Sequence, residues 1–151
     1  MIITDTHTHL YSEQFNEDRN EMMQRALDAG ITRLFIPAID STYLPAMLDL
    51  EKSFPKNTFL MMGLHPTHVK ENVEEELAFV KKWLDKRNFY AVGEIGIDLF
   101  WDKTFLKEQQ HAFKIQIQWA KEKNLPIIIH CRDAFDEIFE VLEEVKDDKL
   151  F

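Results

Sequence analysis

The chain has 151 residues, enough for one domain with a sizeable buried core. Its hydrophobic fraction of 45% argues against a disordered or fibrous protein. The formal net charge of −9 argues against a protein that holds nucleic acid by a broad basic surface. A polyanionic ligand would need a local source of positive charge, such as a bound metal, although a solvated acidic exterior is the commoner reason for this balance.

The N-terminal residues lack the basic and apolar segments of a signal peptide. No apolar run approaches the roughly 20 residues that span a bilayer. The lone cysteine, Cys131, excludes an intrachain disulfide and favours a reducing compartment. The sequence therefore predicts a cytoplasmic protein with no membrane partner.

Apolar patterning predicts five strands that alternate with five helices in a single domain, without repeats or linkers. The predicted strands cover residues 1–4, 33–36, 58–63, 89–93 and 126–130. The predicted helices cover about 18–29, 42–53, 73–86 and 105–123, and the last begins at 133 with an apolar stripe of Phe135, Ile138, Leu142 and Val145. This order calls for a parallel sheet with right-handed crossovers. It leaves open a doubly wound sheet or part of an eight-stranded barrel. The apolar fifth strand is of the kind that is covered on both faces.

Histidine and acidic side chains follow the predicted strands. His7 and His9 are two positions apart at the end of the first strand, so they share a face and can ligate one cation. His65, Glu94 and His130 stand at or just past the ends of the third, fourth and fifth strands. Sites in barrels and open α/β sheets are built at this edge, where distant residues meet.

This set of side chains suits metal-assisted hydrolysis. Imidazole and carboxylate are ligands for zinc, manganese, iron or nickel, and one carboxylate can bridge two cations. A cation pair about 3.5 to 4 Å apart can bind a phosphate or carbonyl oxygen while it holds an activated water.

Each residue also has a structural interpretation. Glu94 is equally typical of an exposed acid that caps a helix, and His130 of a hydrogen-bonded core histidine. His65 could serve only to shape its loop. His68 and His111 are more typical of solvated histidines than of functional ones.

The segments beside these residues are ambiguous in the same way. Arg132 can pair with Asp133 or Asp136 at the surface, or hold a phosphate through its fork of donors. Cys131 should point away from His130 and pack against the helix layer. The aromatic run 100–101 is more often part of a core or a lid than a base-stacking platform.

Four motifs resemble, in order, the signatures of the TatD family of metal-dependent deoxyribonucleases. They are residues 5–10 (DTHTHL), 63–66 (GLHP), 91–98 (AVGEIGID) and 126–134 (PIIIHCRDA). The resemblance implies a TIM-like (β/α) barrel of the metallo-dependent hydrolase type, with about five of eight strand-helix units present. It also implies two divalent cations (Mg, Mn or Zn), DNA as the substrate, and phosphodiester hydrolysis in the 3′ to 5′ direction.

The resemblance assigns roles to six positions. The implied metal ligands are His7, His9, Glu94 and His130, and the implied phosphate-site residues are His65 and Arg132. By the same resemblance, Glu94 would bridge the two cations and act as the catalytic residue.

The family pattern continues for about another hundred residues, with a sixth-strand histidine and an eighth-strand aspartate. This chain ends at Phe151, so we expect a fragment. Five strands cannot close a barrel, and the first and fifth keep open edges. We therefore expect the isolated chain to be marginally stable, to self-associate through these edges, to bind metal weakly and to be inactive alone.

Two alternatives remain. A histidine pair after the first strand also serves amidohydrolases and phosphotriesterases, and Glu94 favours the nuclease branch only through the resemblance. The second alternative is a non-catalytic domain or fragment whose histidines are structural.

Overall fold

The computed structural model describes residues 3–150, in which strands and helices alternate along the chain. The strands are β1 (Ile3–Asp5), β2 (Ile31–Ile36), β3 (Thr58–Leu60), β4 (Val92–Asp98) and β5 (Ile127–Arg132). The helices are α1 (Arg19–Asp28), α2 (Leu44–Ser53), α3 (Val73–Lys86), α4 (Leu106–Lys123) and α5 (Phe135–Val145). Short 3₁₀ turns lie at 13–15, 41–43 and 66–68. The predicted alternation of strand and helix is confirmed.

The strands lie side by side in chain order and pair in parallel. β2 lies between β1 and β3, and β4 pairs with β5. Met62, just after β3, bridges to Val92 and joins the two groups. A doubly wound sheet would reverse its strand order at a switch point. Chain order without reversal is the arrangement of consecutive units in a (β/α) barrel, as the resemblance implies.

β4 is longer than predicted and lies further along the chain. It runs through Glu94 and Gly96 to Asp98, and all seven of its residues are buried. The predicted end at residue 93 is wrong. Glycines ordinarily weaken strands, so the glycines at 93 and 96 make this segment look unlike a strand in the sequence. Gly96 has φ +142, and a Cβ there would lie 2.0 Å from the carbonyl oxygen of His130. The close approach of β4 to β5 therefore requires glycine at this position.

The two outer strands also differ from prediction. β1 begins at Ile3, and the predicted strand residues Met1 and Ile2 lie outside the described residues. β5 extends to Arg132, two residues beyond the predicted end. It is not covered on both faces, since Ile129 is exposed. Among the described strands β5 pairs only with β4, so its other edge is unpaired.

The core lies between the sheet and the helices. The stripe of α3 is buried as the periodicity predicts, through Val73, Leu77, Val80 and Leu84. On α5 the buried residues are Ile138 and Val141, whereas Phe135, expected in the stripe, is exposed. Each fully buried aliphatic or aromatic side chain contributes about 1.5 to 3 kcal/mol to stability. Among the described helices, none combines the length and the apolar character that crossing a membrane requires.

Candidate metal centre

Glu94 lies at the centre of a cluster of imidazoles. It is only 7% exposed, so it is not an exposed helix cap. Its Oε2 atom lies 3.0 Å from Nε2 of His7 and 3.5 Å from Nε2 of His9. These two nitrogens are 3.3 Å apart. Ligand atoms that share one cation at about 2.1 Å are about 3.0 to 3.4 Å apart in octahedral or tetrahedral geometry. The three atoms therefore have the spacing of a single ligand set.

The other carboxylate oxygen of Glu94 faces a second pair of histidines. Oε1 lies 3.0 Å from Nδ1 of His130 and 3.7 Å from Nε2 of His65. These two ring nitrogens are 3.1 Å apart. Each group of three could hold a metal ion. Glu94 thus offers one oxygen to each group, which is the arrangement of a bridging carboxylate.

Local strand structure explains this convergence. Thr8 donates its backbone N–H to the carbonyl of Phe35 at 3.1 Å, which holds the segment after β1 in an extended form beside β2. His7 and His9 therefore face the same way. On the other side, Gly96 is the register partner of His130, and Glu94 precedes it by two residues on the same face.

The tautomer of His9 is fixed by a buried tyrosine. Tyr11 donates its hydroxyl hydrogen to the carbonyl of Pro37 at 2.7 Å, so it must accept from Nδ1–H of His9 at 2.8 Å. Burial raises the pKa of Tyr11 far above its usual range, so the hydroxyl stays protonated. The Nε2 lone pair of His9 is thereby left for a cation. Histidine ligands in metal sites are commonly oriented in this way, by a hydrogen bond to the ring nitrogen that does not bind the metal.

His130 is oriented in the same way by Asp98. Oδ2 of Asp98 lies 2.8 Å from Nε2 of His130, and Oδ1 accepts the backbone N–H of Phe100 at 3.1 Å. A neutral His130 donates from Nε2 to this carboxylate and directs the lone pair of Nδ1 toward Glu94. Asp98 lies in the third of the four motifs, but the sequence assigned it no role. Its alternation with Glu94 on one strand face is the signal that could have identified it.

His65 differs from the other three histidines. Its Nδ1 accepts the backbone N–H of Thr67 at 3.2 Å. The neutral ring therefore carries its proton on Nε2, the atom that points into the centre. Burial lowers the pKa of His65 to about 4, so the ring is neutral at pH 7. In this orientation His65 presents a hydrogen-bond donor rather than a lone pair, and its predicted place in a phosphate site stays a prediction.

Glu94 and His130 have opposite pKa shifts. Burial alone would raise the pKa of Glu94, but the imidazoles of His130, His9, His65 and His7 favour its carboxylate form whenever they carry an extra proton. They outweigh burial and hold the pKa of Glu94 well below its usual range. Burial alone would lower the pKa of His130, but hydrogen bonds to Glu94 and Asp98 outweigh it and raise that pKa. Without a cation, the pair forms a carboxylate and an imidazole that readily takes up a proton.

Arg132 stacks on aromatic rings instead of pairing with an acid. Its guanidinium carbon lies 3.7 Å from the ring centroid of Phe100 and 5.2 Å from that of Trp101. Within residues 3–150, no ion pair joins it to Asp133 or Asp136, so the structure does not support the surface-pairing alternative. Phe100 and Trp101 are 49% and 71% exposed, which excludes a place in the core.

The remaining histidines and the cysteine lie outside the cluster. His111 is half exposed and 3.1 Å from Oε1 of Glu74, in agreement with a solvated role. His68 is partly exposed, and its Nε2 lies 3.7 Å from Oδ2 of Asp40. Cys131 is half-buried and packs against the core, as predicted.

Two buried glutamines of α4 hold the backbone that carries the site. Gln109 accepts the N–H of Asp98 at 2.8 Å and donates to its carbonyl at 3.2 Å. Gln116 accepts the N–H of Leu64 at 2.7 Å and donates to its carbonyl at 3.3 Å. Each amide thus replaces a neighbouring strand, one beside the ligand-orienting carboxylate and one beside His65. Neither glutamine receives a role from the sequence.

The family model described as TatD related DNase matches residues 4–150. The chain belongs to the TatD-related DNase family. A relative named uncharacterized metal-dependent hydrolase YabD, from Bacillus subtilis (strain 168), is 34% identical over 143 residues that cover 95% of this chain and 56% of that protein. A 3′-5′ ssDNA/RNA exonuclease TatD from Erwinia billingiae is 33% identical, over 91% of this chain and 53% of that protein.

Solved structures of TatD relatives share the fold. The crystal structure of YJJV, a TatD homolog from Escherichia coli K12, superposes with a TM-score of 0.84 at 30% identity. The match covers 94% of this chain and 55% of that chain. The likeness confirms the barrel-type fold class that the motifs imply. The TatD-like chain described here spans a little more than half the length of the relatives it matches.

Proposed function

We propose that this chain provides the metal-binding part of a two-cation phosphodiesterase that removes nucleotides from the 3′ end of DNA. The observation that carries the proposal is Glu94, which offers one oxygen to each of two imidazole groups. A carboxylate between two ligand sets can hold two cations close together, and a close cation pair is what two-metal hydrolysis of phosphodiesters uses.

The donor atoms fit divalent cations. His7, His9 and Glu94 would hold one ion, and Glu94 with His130 would hold the other. Three imidazoles with one carboxylate favour Zn or Mn, whereas Mg prefers oxygen ligands. Two such ions would supply a Lewis acid for the phosphate and an activated water.

The protein's own groups would position the scissile phosphate. Neutral His65 presents an Nε2–H donor to the centre. Arg132 follows His130 by two residues on β5 and carries a planar fork of donors. With the cations, Arg132 would supply the positive charge that a chain of net charge −9 otherwise lacks, and His65 would add a hydrogen bond.

Family membership favours nucleic acid as the substrate over the cyclic amides of amidohydrolase relatives. The Erwinia billingiae relative is named for single-stranded DNA and RNA. DNA is accordingly the proposed substrate partner. A cytoplasmic location stays a prediction, which rests on the lone free Cys131.

Self-association is also part of the proposal. Ile3 on β1 and Ile129 on β5 are exposed apolar residues on the two outer described strands. Exposed strand edges pair readily with other chains. We expect concentration-dependent oligomers in sedimentation velocity, and low activity of the 151-residue chain by itself.

The test substitutes the bridging residue and measures metal and hydrolysis separately. Glu94→Gln keeps the shape of the side chain but removes its charge. We expect the affinity for Zn or Mn to fall by more than about 100-fold, because even residues that only orient the ligands contribute about 10- to 100-fold. Glu74→Gln, on the exposed surface of α3, is the matched control. Release of label from 3′-labelled single-stranded DNA, with and without added cation, is compared with hydrolysis of cyclic amides.

Three results would contradict the proposal. One is a wild-type chain that binds no divalent cation. Another is Glu94→Gln protein with unchanged metal content. The third is hydrolysis of cyclic amides with DNA left intact, which would place the chain with the amidohydrolases.

A further inference from the structure

Two large aromatic side chains are exposed beside the candidate metal centre. Phe100 and Trp101 follow β4 directly, and their rings meet edge to face with centroids 4.7 Å apart. Nearly half of Phe100 and more than two thirds of Trp101 are open to solvent. Contiguous exposed apolar surface of this kind marks binding sites in soluble proteins.

The aromatic pair is tied to the metal centre by one carboxylate. Asp98 accepts the backbone N–H of Phe100 through one oxygen and contacts Nε2 of His130 through the other. Gln109 holds both backbone groups of the same residue. A small cleft between Trp101 and Pro66 opens beside this carboxylate. The pair is therefore fixed at the rim of the centre.

Arg132 adds a cationic group to this edge-to-face pair of rings. Its guanidinium lies over Phe100 and within cation–π distance of Trp101. Among the described residues, Arg132 has no ion-pair partner, whereas the neighbouring Lys70 lies 3.5 Å from Oδ2 of Asp102. The positive charge of Arg132 is thus available to a ligand that stacks on the rings.

Aromatic rings with an interleaved arginine are the composition on which proteins stack the bases of single strands. Nucleobases are flat and polarisable, and they stand next to the phosphates that the guanidinium attracts. The net charge of −9 argues against a broad basic surface that could hold a strand by its backbone alone. Stacking would supply the missing affinity beside the reacting phosphate.

We propose that Phe100, Trp101 and Arg132 form a platform that stacks an unpaired base next to the scissile phosphate, so that strand ends with unpaired bases are selected over paired ends. The proposal rests on the proposed nuclease function for its position in the reaction. Its physical content, recognition of a base rather than of a phosphate, can be measured without any hydrolysis.

The experiment measures binding in EDTA, with the 151-residue chain and two fluorescent decamers. One decamer is oligothymidylate, and the other has the same phosphates but abasic sugars. We expect Trp101→Ala to weaken binding of the thymidylate strand by about 5- to 100-fold and to leave the abasic strand unchanged. Phe139→Ala is the matched control, because this residue is 59% exposed on α5 and lies outside the platform.

A second variant guards against misfolding of the first. Arg132→Lys keeps the charge but loses the planar face, and we expect it to lower affinity for the thymidylate strand only. Circular dichroism checks the fold of each variant. An unchanged ratio of thymidylate to abasic affinity in both variants overturns the platform, as does a wild-type chain that binds neither strand.

The platform and the nuclease function can be refuted independently of each other. If Trp101→Ala changes the affinity ratio but the protein with added cations hydrolyses cyclic amides and leaves DNA intact, the platform stands and the nuclease assignment is wrong. If DNA is hydrolysed and the ratio does not change, the nuclease assignment stands and the platform is wrong.

Discussion

Asp98→Asn tests whether the carboxylate behind His130 sets the metal affinity of the centre. Asp98 is 2% exposed, and its Oδ2 atom accepts from Nε2 of His130 at 2.8 Å. Asparagine has nearly the same shape. Its amide can still accept the N–H of Phe100 through the oxygen, which places the NH₂ group opposite the imidazole.

This exchange reverses the hydrogen bond. The NH₂ group donates to Nε2 of His130, so the neutral ring must carry its proton on Nδ1, which lies 3.0 Å from Oε1 of Glu94. The lone pair that faces a cation is then replaced by a proton. Loss of a group that orients a ligand costs about 10- to 100-fold in metal affinity, or about 1.4 to 2.7 kcal/mol.

Competition with a fluorescent Zn chelator measures this affinity directly. Asp102→Asn is the matched control, since Asp102 is a half-exposed acid four residues further along the chain. ¹⁵N chemical shifts of the imidazole of His130 report its tautomer in both proteins. Wild-type metal affinity in a folded Asp98→Asn protein, or an unchanged tautomer, would show that Asp98 does not orient this ligand.

The same contacts give three further predictions. Tyr11→Phe leaves Nδ1–H of His9 without its acceptor. Urea denaturation should show a free energy of unfolding lower by about 1 to 3 kcal/mol, and Zn competition should show a lower affinity. A free energy of unfolding equal to that of the wild type would contradict this prediction. Gly96→Ala places a methyl group against the carbonyl oxygen of His130. Calorimetry should show a free energy of unfolding lower by at least about 3 kcal/mol, or no folded protein at all. The pKa of His130 is higher in the folded protein than in the unfolded chain, so proton binding to His130 stabilises the metal-free fold. This stabilisation is complete when the pH is below the unfolded-state pKa, and it is lost as the pH rises through the folded-state pKa. The melting temperature in EDTA should therefore fall through this group as the pH rises from the ordinary pKa of histidine past the raised pKa of His130, and His130→Asn should remove that part of the fall.

Much of the architecture could be predicted because it depends on local patterns. The periods of apolar residues separate helix from strand, and parallel strands bring their carboxyl ends to one edge. His7 and His9 share a face for the same reason. Neither pattern depends on distant contacts, and together they are enough to place the candidate metal ligands at one edge of the sheet.

The residues that sequence reasoning missed act through distant contacts. Asp98 becomes important only when β5 brings His130 against it. Gln109 and Gln116 look like the polar side of an amphipathic helix, although both are buried against backbone groups. Trp101 belongs to a residue class that is usually well buried, and its exposure depends on what surrounds the loop.

The two glutamines of α4 control hydrogen exchange at two backbone amides. The amide protons of Leu64 and Asp98 are held by side-chain oxygens of a helix, not by carbonyls of a neighbouring strand. They become exposed to solvent when α4 lifts from the sheet, whereas the remaining sheet amides are freed when strands separate. Gln109 and Gln116 lie about two turns apart on one rigid helix, so both protons are released in a single opening event. The backbone beside the candidate metal ligands is thereby linked to a motion of the outer helical layer.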